Sequence, residues 1–111
     1  MTDVLSKENL IAKLSSGCKV KEDWRIGTEH EKFGFKKKDL RPITFDDIQK
    51  IFSELCSKYN WEKIIEDKKI IGLKKDATSI TLEPGGQIEL SGAPVKNLFE
   101  TCKEVNLHQD E

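Results

Sequence analysis

The chain has 111 residues, a net charge of −1, 35% charged residues and 36% hydrophobic residues. That length allows one domain at most and a modest core. The balanced charge excludes the basic stripe that non-specific nucleic-acid binding requires, and no apolar run reaches the roughly 18 residues of a membrane span.

The N-terminus, Met1-Thr2-Asp3-Val4-Leu5-Ser6, lacks a basic stretch followed by an apolar run and is too acidic for a typical transit peptide. A cytoplasmic location is therefore expected. Cys18, Cys56 and Cys102 contain no close pair and no CxxC, which argues against a zinc ribbon or thioredoxin-type motif and fits a reducing compartment.

Ser6 reads as the N-cap of a short helix, with Leu10, Ile11 and Leu14 at helical spacing and Gly17 at its stop. Residues 24–35 read as a strand, followed by a solvated polar turn through Lys36-Lys37-Lys38-Asp39-Leu40-Arg41-Pro42. Thr44-Phe45-Asp46-Asp47 is a capping-box-like start with Asp in place of Glu. It opens a helix over 44–59 whose stripe is Ile48, Ile51, Phe52, Leu55, Cys56 and Tyr59. Trp61 reads as a core or rim anchor. Residues 64–73 and 78–83 read as strands flanking a four-residue loop, Lys74 to Ala77. Pro84-Gly85-Gly86 interrupts the pattern, since proline cannot donate to a ladder and paired glycines permit positive φ. Strand alternation resumes over Gln87–Ser91. A last helix starts near residue 95 with the stripe Val95, Leu98, Phe99, Cys102 and Val105, and Cys56 and Cys102 read as buried core thiols.

Two motifs carry the chemistry. One is Arg25-Ile26-Gly27-Thr28-Glu29-His30-Glu31-Lys32-Phe33-Gly34-Phe35, the other Leu82-Glu83-Pro84-Gly85-Gly86-Gln87-Ile88-Glu89-Leu90-Ser91-Gly92. Strand alternation puts Arg25, Glu29, Glu31 and Phe33 on one face and His30 on the other; Gln87, Glu89 and Ser91 likewise share a face. Carboxylates two residues apart lie roughly 6.6 Å apart. Their repulsion is roughly 2.5 kcal/mol at an effective dielectric of about 20 and roughly 0.6 in open water. In a cleft such a pair needs a cation or an arginine. Mg²⁺ suits the donors, because it takes one or two carboxylates with water and substrate phosphates completing its shell. Surface glutamates on an exposed sheet are the plainer alternative. A zinc site from Glu29, His30 and Glu31 is disfavoured by the parity of His30 and the lack of HExxH spacing. Glycosidase chemistry by paired carboxylates lacks a recognisable aromatic platform.

These motifs, with Tyr59-Asn60-Trp61-Glu62-Lys63, Ile71-Gly72-Leu73-Lys74 and Thr101-Cys102-Lys103-Glu104-Val105-Asn106, closely resemble the amino-terminal part of glutamate–cysteine ligase in its plant and proteobacterial form. The resemblance implies an ATP-dependent ligase joining the γ-carboxylate of L-glutamate to the amine of L-cysteine through a γ-glutamyl phosphate, the first step of glutathione synthesis. It places Glu29, Glu31, Glu83 and Glu89 at acidic positions that hold Mg²⁺. Gln87 would touch substrate or metal-bound water, and Arg25 would pair with a glutamate or an anionic ligand. Gly85 and Gly86 would bring backbone close to the nucleotide or form a purely structural bulge. The implied fold is α+β, an antiparallel sheet with helices on one side like the glutamine synthetase catalytic core. Family members are several times longer, so residues 1–111 would be the N-terminal portion of one catalytic domain, inactive by itself. The alternative is a non-catalytic remnant that binds metal or nucleotide or docks on a full-length homologue. Neither nucleic acid nor membrane is an expected partner.

Overall fold

The computed structural model describes residues 4–111. Three α-helices and five strands follow in the order α1 (Lys7–Ser15), β1 (Glu29–Phe33), α2 (Phe45–Tyr59), β2 (Glu62–Glu66), β3 (Lys69–Lys75), β4 (Thr78–Glu83), β5 (Gln87–Ser91) and α3 (Leu98–Asp110). The strands form one antiparallel sheet in the order β1-β5-β4-β3-β2. An α+β fold is thus observed. Among the described residues no helix is long and apolar enough to cross a membrane.

The expected caps are present. In α1 the Ser6 hydroxyl accepts from Asn9 N–H at 3.1 Å, and the Asn9 side chain accepts from Ser6 N–H at 3.0 Å. In α2 the Thr44 hydroxyl accepts from Asp47 N–H, while the Asp47 carboxylate accepts from Thr44 N–H at 2.9 Å and from its hydroxyl at 2.7 Å. Asp completes this box in place of Glu, and Lys36 adds an ion pair to it at 3.2 Å. Asn60 closes α2 in the left-handed region, where Asn is tolerated better than most residues.

Burial then sets the layers. Ile48 and Phe52 from α2 join Trp61, Ile70, Leu73, Ile80 and Leu90 in a single core cluster. Trp61 is the anchor its composition suggests; its indole N–H donates to Glu111 at 2.9 Å. Leu73, Ile80, Leu90 and His30 are cross-strand partners in one row, so one sheet face is the helix side. α3 reaches the same face, because the Lys32 ammonium donates to the His108 carbonyl and Leu90 shares a cavity lining with Leu107 and His108.

Several expectations are corrected. The strand over 24–35 is only Glu29–Phe33, flanked by single bridges from Ile26 to Val95 and from Phe35 to Pro42. The segment 64–73 is not one strand but parts of two, β2 and β3. They turn at Asp67-Lys68, where both φ values are positive, 47° and 64°, as a two-residue hairpin loop demands. Lys74 and Lys75 remain in β3, so the next loop is two residues, Asp76-Ala77, rather than four. The register of β2 and β3 steps from Ile64↔Gly72 to Ile65↔Ile70, skipping Ile71. This bulge turns both Ile70 and Leu73 into the core, although strict alternation would separate them. Gln49 of α2 caps the irregularity, its side-chain amide donating to Ile70 O at 2.7 Å and accepting from Ile70 N–H at 2.9 Å.

α3 departs furthest from its sequence pattern. It starts at Leu98 with Asn97 as N-cap, and much of the expected apolar stripe points outward: Leu98 is 69% and Phe99 82% exposed, while Val95 and Val105 are half-buried. Cys102 is exposed as well, so it is not a core thiol, while Cys56 is partly buried. The helix docks through a polar stripe because its carboxylates find donors beneath it, Glu104 on Thr28 and Ala93 and Glu111 on Trp61 and Lys75. On α1, Leu10, Ile11 and Leu14 are likewise exposed.

The α2 cap provides a test. The Thr44 backbone N–H and hydroxyl, with Lys36, lower the Asp47 carboxyl from 3.8 to about 2. A depressed folded value means that the contribution is complete above the unfolded value and is lost as pH falls from 3.8 towards 2. Thr44→Ala is expected to cost about 1 kcal/mol in urea unfolding at neutral pH and to move the acid limb of the stability curve upward. The variant keeps the backbone N–H, so an unchanged acid limb would show that the Thr44 hydroxyl does not depress Asp47.

Candidate functional site

The face opposite α2 and α3 collects the polar residues of both sequence motifs, because each strand has one parity committed to the core. Across β3, β4, β5 and β1 the register aligns three rows. The first is Lys74, Ser79, Ser91 and Glu29; the second is Gly72, Thr81, Glu89 and Glu31; the third, on three strands, is Glu83, Gln87 and Phe33. Glu29, Glu31, Glu83 and Glu89 therefore lie on one face, and β1 pairs directly with the strand carrying Glu89. His30 pairs with Leu90 on the helix side, away from the glutamates. Its Nε2 and that of His108 are buried without hydrogen-bond partners. Burial first, then the charges of Lys32 and His30, hold His108 below the usual histidine value.

Glu31 stands directly opposite Glu89. Opposed residues in an antiparallel pair have Cβ atoms roughly 4.5–5.5 Å apart, and like charges so placed are destabilising. Two hydroxyls steady the inner carboxylates: Thr81 donates to Glu83 at 2.9 Å and Ser91 to Glu89 at 3.1 Å. Glu29 and Glu31 are exposed, whereas Glu83 and Glu89 are half-buried. Lys74, the cation of the first row, is engaged by Glu62 at 3.0 Å. Among the described residues no three His, Cys, Asp or Glu side chains gather closely enough to hold a metal ion by themselves. An all-oxygen face offering one or two carboxylates nevertheless fits Mg²⁺, which completes its shell with water and phosphate and does not need an all-protein cage.

The other candidates fall around this face. Gln87 lies on it between Glu83 and Phe33. Pro84–Gly86 forms a 3₁₀ turn with φ of 81° at Gly85 and 79° at Gly86; it closes β4 onto β5 so that Glu83 pairs with Gln87. Those positive angles account for both glycines. A Cβ on Gly85 would meet nothing, so crowding does not require glycine there. Arg25 lies ahead of β1, which starts at Glu29, so no strand pairing sets its face. Its guanidinium donates to the carbonyls of Glu22 and Trp24 at 2.9 and 2.8 Å, so the expected pairing with a glutamate is not observed. A separate polar recess of about 340 Å³ is lined by Gly27, Thr28, Glu29, Ser91 and Gly92. Sequence reasoning missed Thr28 and Glu104 beside it, since their pairing across the fold leaves no local spacing signal.

Comparison with known proteins places these motifs. Residues 25–111 match the family described as Glutamate-cysteine ligase family 2 (GCS2). The chain is 58% identical over 108 residues to glutamate–cysteine ligase A, chloroplastic, of Oryza sativa subsp. japonica, covering 97% of this chain and 22% of that protein. It is 57% identical over 107 residues to the chloroplastic enzyme of Brassica juncea (96% and 21%), and 55% over 107 residues to that of Arabidopsis thaliana (96% and 20%). The chain spans about a fifth of the length of the curated relatives it matches. Their chloroplastic names overturn the cytoplasmic expectation. The composition of residues 1–6 is no guide to compartment in a chain that covers so small a share of its relatives.

The opposed pair predicts a charge effect free of any ligand. Without divalent cations and at low salt, Glu89→Gln is expected to raise stability by about 0.5 kcal/mol, because the side-chain oxygen that accepts from Ser91 is kept while the repulsion is removed. Added salt should shrink the gain. A loss of stability in urea titrations would mean that Glu31 and Glu89 do not oppose each other.

Proposed function

The chain belongs to glutamate–cysteine ligase family 2, and on that premise we propose that it supplies the metal-binding face of an ATP-dependent ligase joining the γ-carboxylate of L-glutamate to the amine of L-cysteine. The observation that supports this best is the shared face of Glu29, Glu31, Glu83 and Glu89, with Glu31 opposite Glu89. Four carboxylates on one open face are electrostatically unfavourable alone and become favourable around a divalent cation. In this reading Glu29, Glu31 and Glu89 hold Mg²⁺, with Glu83 beside them steadied by Thr81. Bound there, Mg²⁺ would neutralise charge on the ATP phosphates, the main requirement of phosphoryl transfer. Gln87, on the same face, would contact substrate or metal-bound water. The carboxylates act as ligands and orienting groups, not as nucleophiles. The β4–β5 turn keeps their rows aligned, and the apolar helix side shuts water out from beneath.

Residues 1–111 are then the N-terminal portion of one catalytic domain with a sheet like that of glutamine synthetase. β1 and β2 are the two edges of the sheet, where a larger sheet would continue. Groups that bind the phosphates from the far side are required as well, so this segment alone is expected to turn nothing over.

A chimera tests the proposal: the matching segment of the rice enzyme is replaced by this chain. ATP- and glutamate-dependent formation of γ-glutamylcysteine is expected. Glu29→Gln in the chimera should lower the rate about tenfold or more and raise the Mg²⁺ concentration needed, since one charge goes while shape stays. A folded but inactive chimera would favour the non-catalytic remnant. Unchanged Mg²⁺ dependence would leave Glu29 a structural residue.

A further inference from the structure

Glu104 is the one α3 carboxylate that reaches the acidic end of the sheet, and it does so from the helix side. One oxygen accepts from the Thr28 hydroxyl at 3.1 Å and the other from the Ala93 backbone N–H at 2.7 Å. Thr28 leads into β1 immediately before Glu29, and Ala93 follows β5 just after Ser91 and Gly92. The same two segments are laced by backbone bonds: Gly92 N–H to Thr28 O at 2.8 Å, and Ile26 with Val95 in both directions at 2.8 and 2.9 Å. Gly92 carries no left-handed φ, so its backbone does not ask for glycine. Space does, because a Cβ there would overlap the Glu104 carboxylate, whose carbon lies 2.6 Å from that position. The missing side chain at 92 is what admits Glu104.

We propose that Glu104 is a positioning residue, a clamp that fixes the Thr28–Glu29 and Ser91–Ala93 segments against each other and so sets the recess bounded by Gly27, Thr28, Glu29, Ser91 and Gly92. Both carboxylate oxygens are engaged by the protein, which suits Glu104 to holding the two segments together. Its effect on binding passes through Glu29 and Ser91. What the recess serves rests on the Mg²⁺ reading above, whereas the clamp itself does not.

Amide hydrogen exchange on the 111-residue chain separates the two. Glu104→Ala is expected to speed exchange at Ala93 about tenfold, the effect of losing one charge-assisted hydrogen bond. Glu104→Gln should stay within about threefold of the parent, since its amide oxygen can still accept from Ala93 and its NH₂ can donate to the Thr28 oxygen. Gly92→Ala should shift the amide resonances of Thr28 and Glu29, and adding Glu104→Ala should bring them back towards the parent. Equal Ala93 exchange in Glu104→Ala and the parent, or no recovery in the double variant, overturns the clamp. If Glu104→Ala does not fold, Glu104→Gln decides, and loss of Ala93 protection there overturns it. Titration with Mg²⁺ alone tests the function separately. Shifts at Glu29 and Ser91 that need about threefold more Mg²⁺ in Glu104→Ala support both readings. The absence of any shift in the parent removes the metal reading and leaves the clamp to stand or fall on exchange.

Discussion

The acidic face is held in place by the packing on the other side of the sheet. Ile48 and Phe52 cluster with Leu73, Ile80 and Leu90, which occupy one register row across three strands. The strand period is two, so a one-residue slip would carry these side chains to the open face and drive the glutamates into the core. Burying an unpaired carboxylate is far costlier than exposing a leucine. The core therefore selects the register, and the register places Glu31 opposite Glu89. The glutamates themselves favour no such arrangement; their mutual repulsion works against it.

The parts of the fold legible in sequence were those governed by one local rule. Ser6 and Thr44 announced helix starts through capping chemistry, and Ile48, Phe52 and Tyr59 announced a stripe that the structure uses. The parity of Glu29, Glu31 and Glu89 needed only alternation and was read correctly as a shared face. What was not legible depended on distant partners or unusual local chemistry. Asp67-Lys68 turns a hairpin without glycine or asparagine. The bulge at Ile71 hides the fact that Ile70 and Leu73 share a side. The apolar stripe of α3 promised burial, yet Thr28, Ala93, Trp61 and Lys75 attract the opposite, acidic stripe. Arg25 was read as part of the strand because the break at residues 27–28, after which β1 starts at Glu29, carries no strong signal.

The two faces divide the labour between residue types. The helix side uses few large apolar groups, seven buried in all among the described residues. The open side uses Thr81 and Ser91 beside carboxylates, small hydroxyls that orient Glu83 and Glu89 without filling the space in front of them. The Pro84–Gly86 turn joins the two central carboxylate-bearing strands with so little chain that Glu83 and Gln87 cannot drift apart.

The strand order also carries a kinetic consequence. β2 through β5 form a meander in which each strand pairs with its neighbour in sequence, whereas β1 joins β5 only across the whole intervening chain. Local pairings close early, and distant ones wait for the loop-closure cost to be offset by contacts already made. Glu83 and Glu89 would thus be in place before Glu29 and Glu31 arrive. A cation bridging β1 and β5, as proposed above, would bind only the finished sheet, and by mass action it would draw the chain towards that state. The same carboxylates that oppose docking of β1 without a cation would then become the reason the last strand stays.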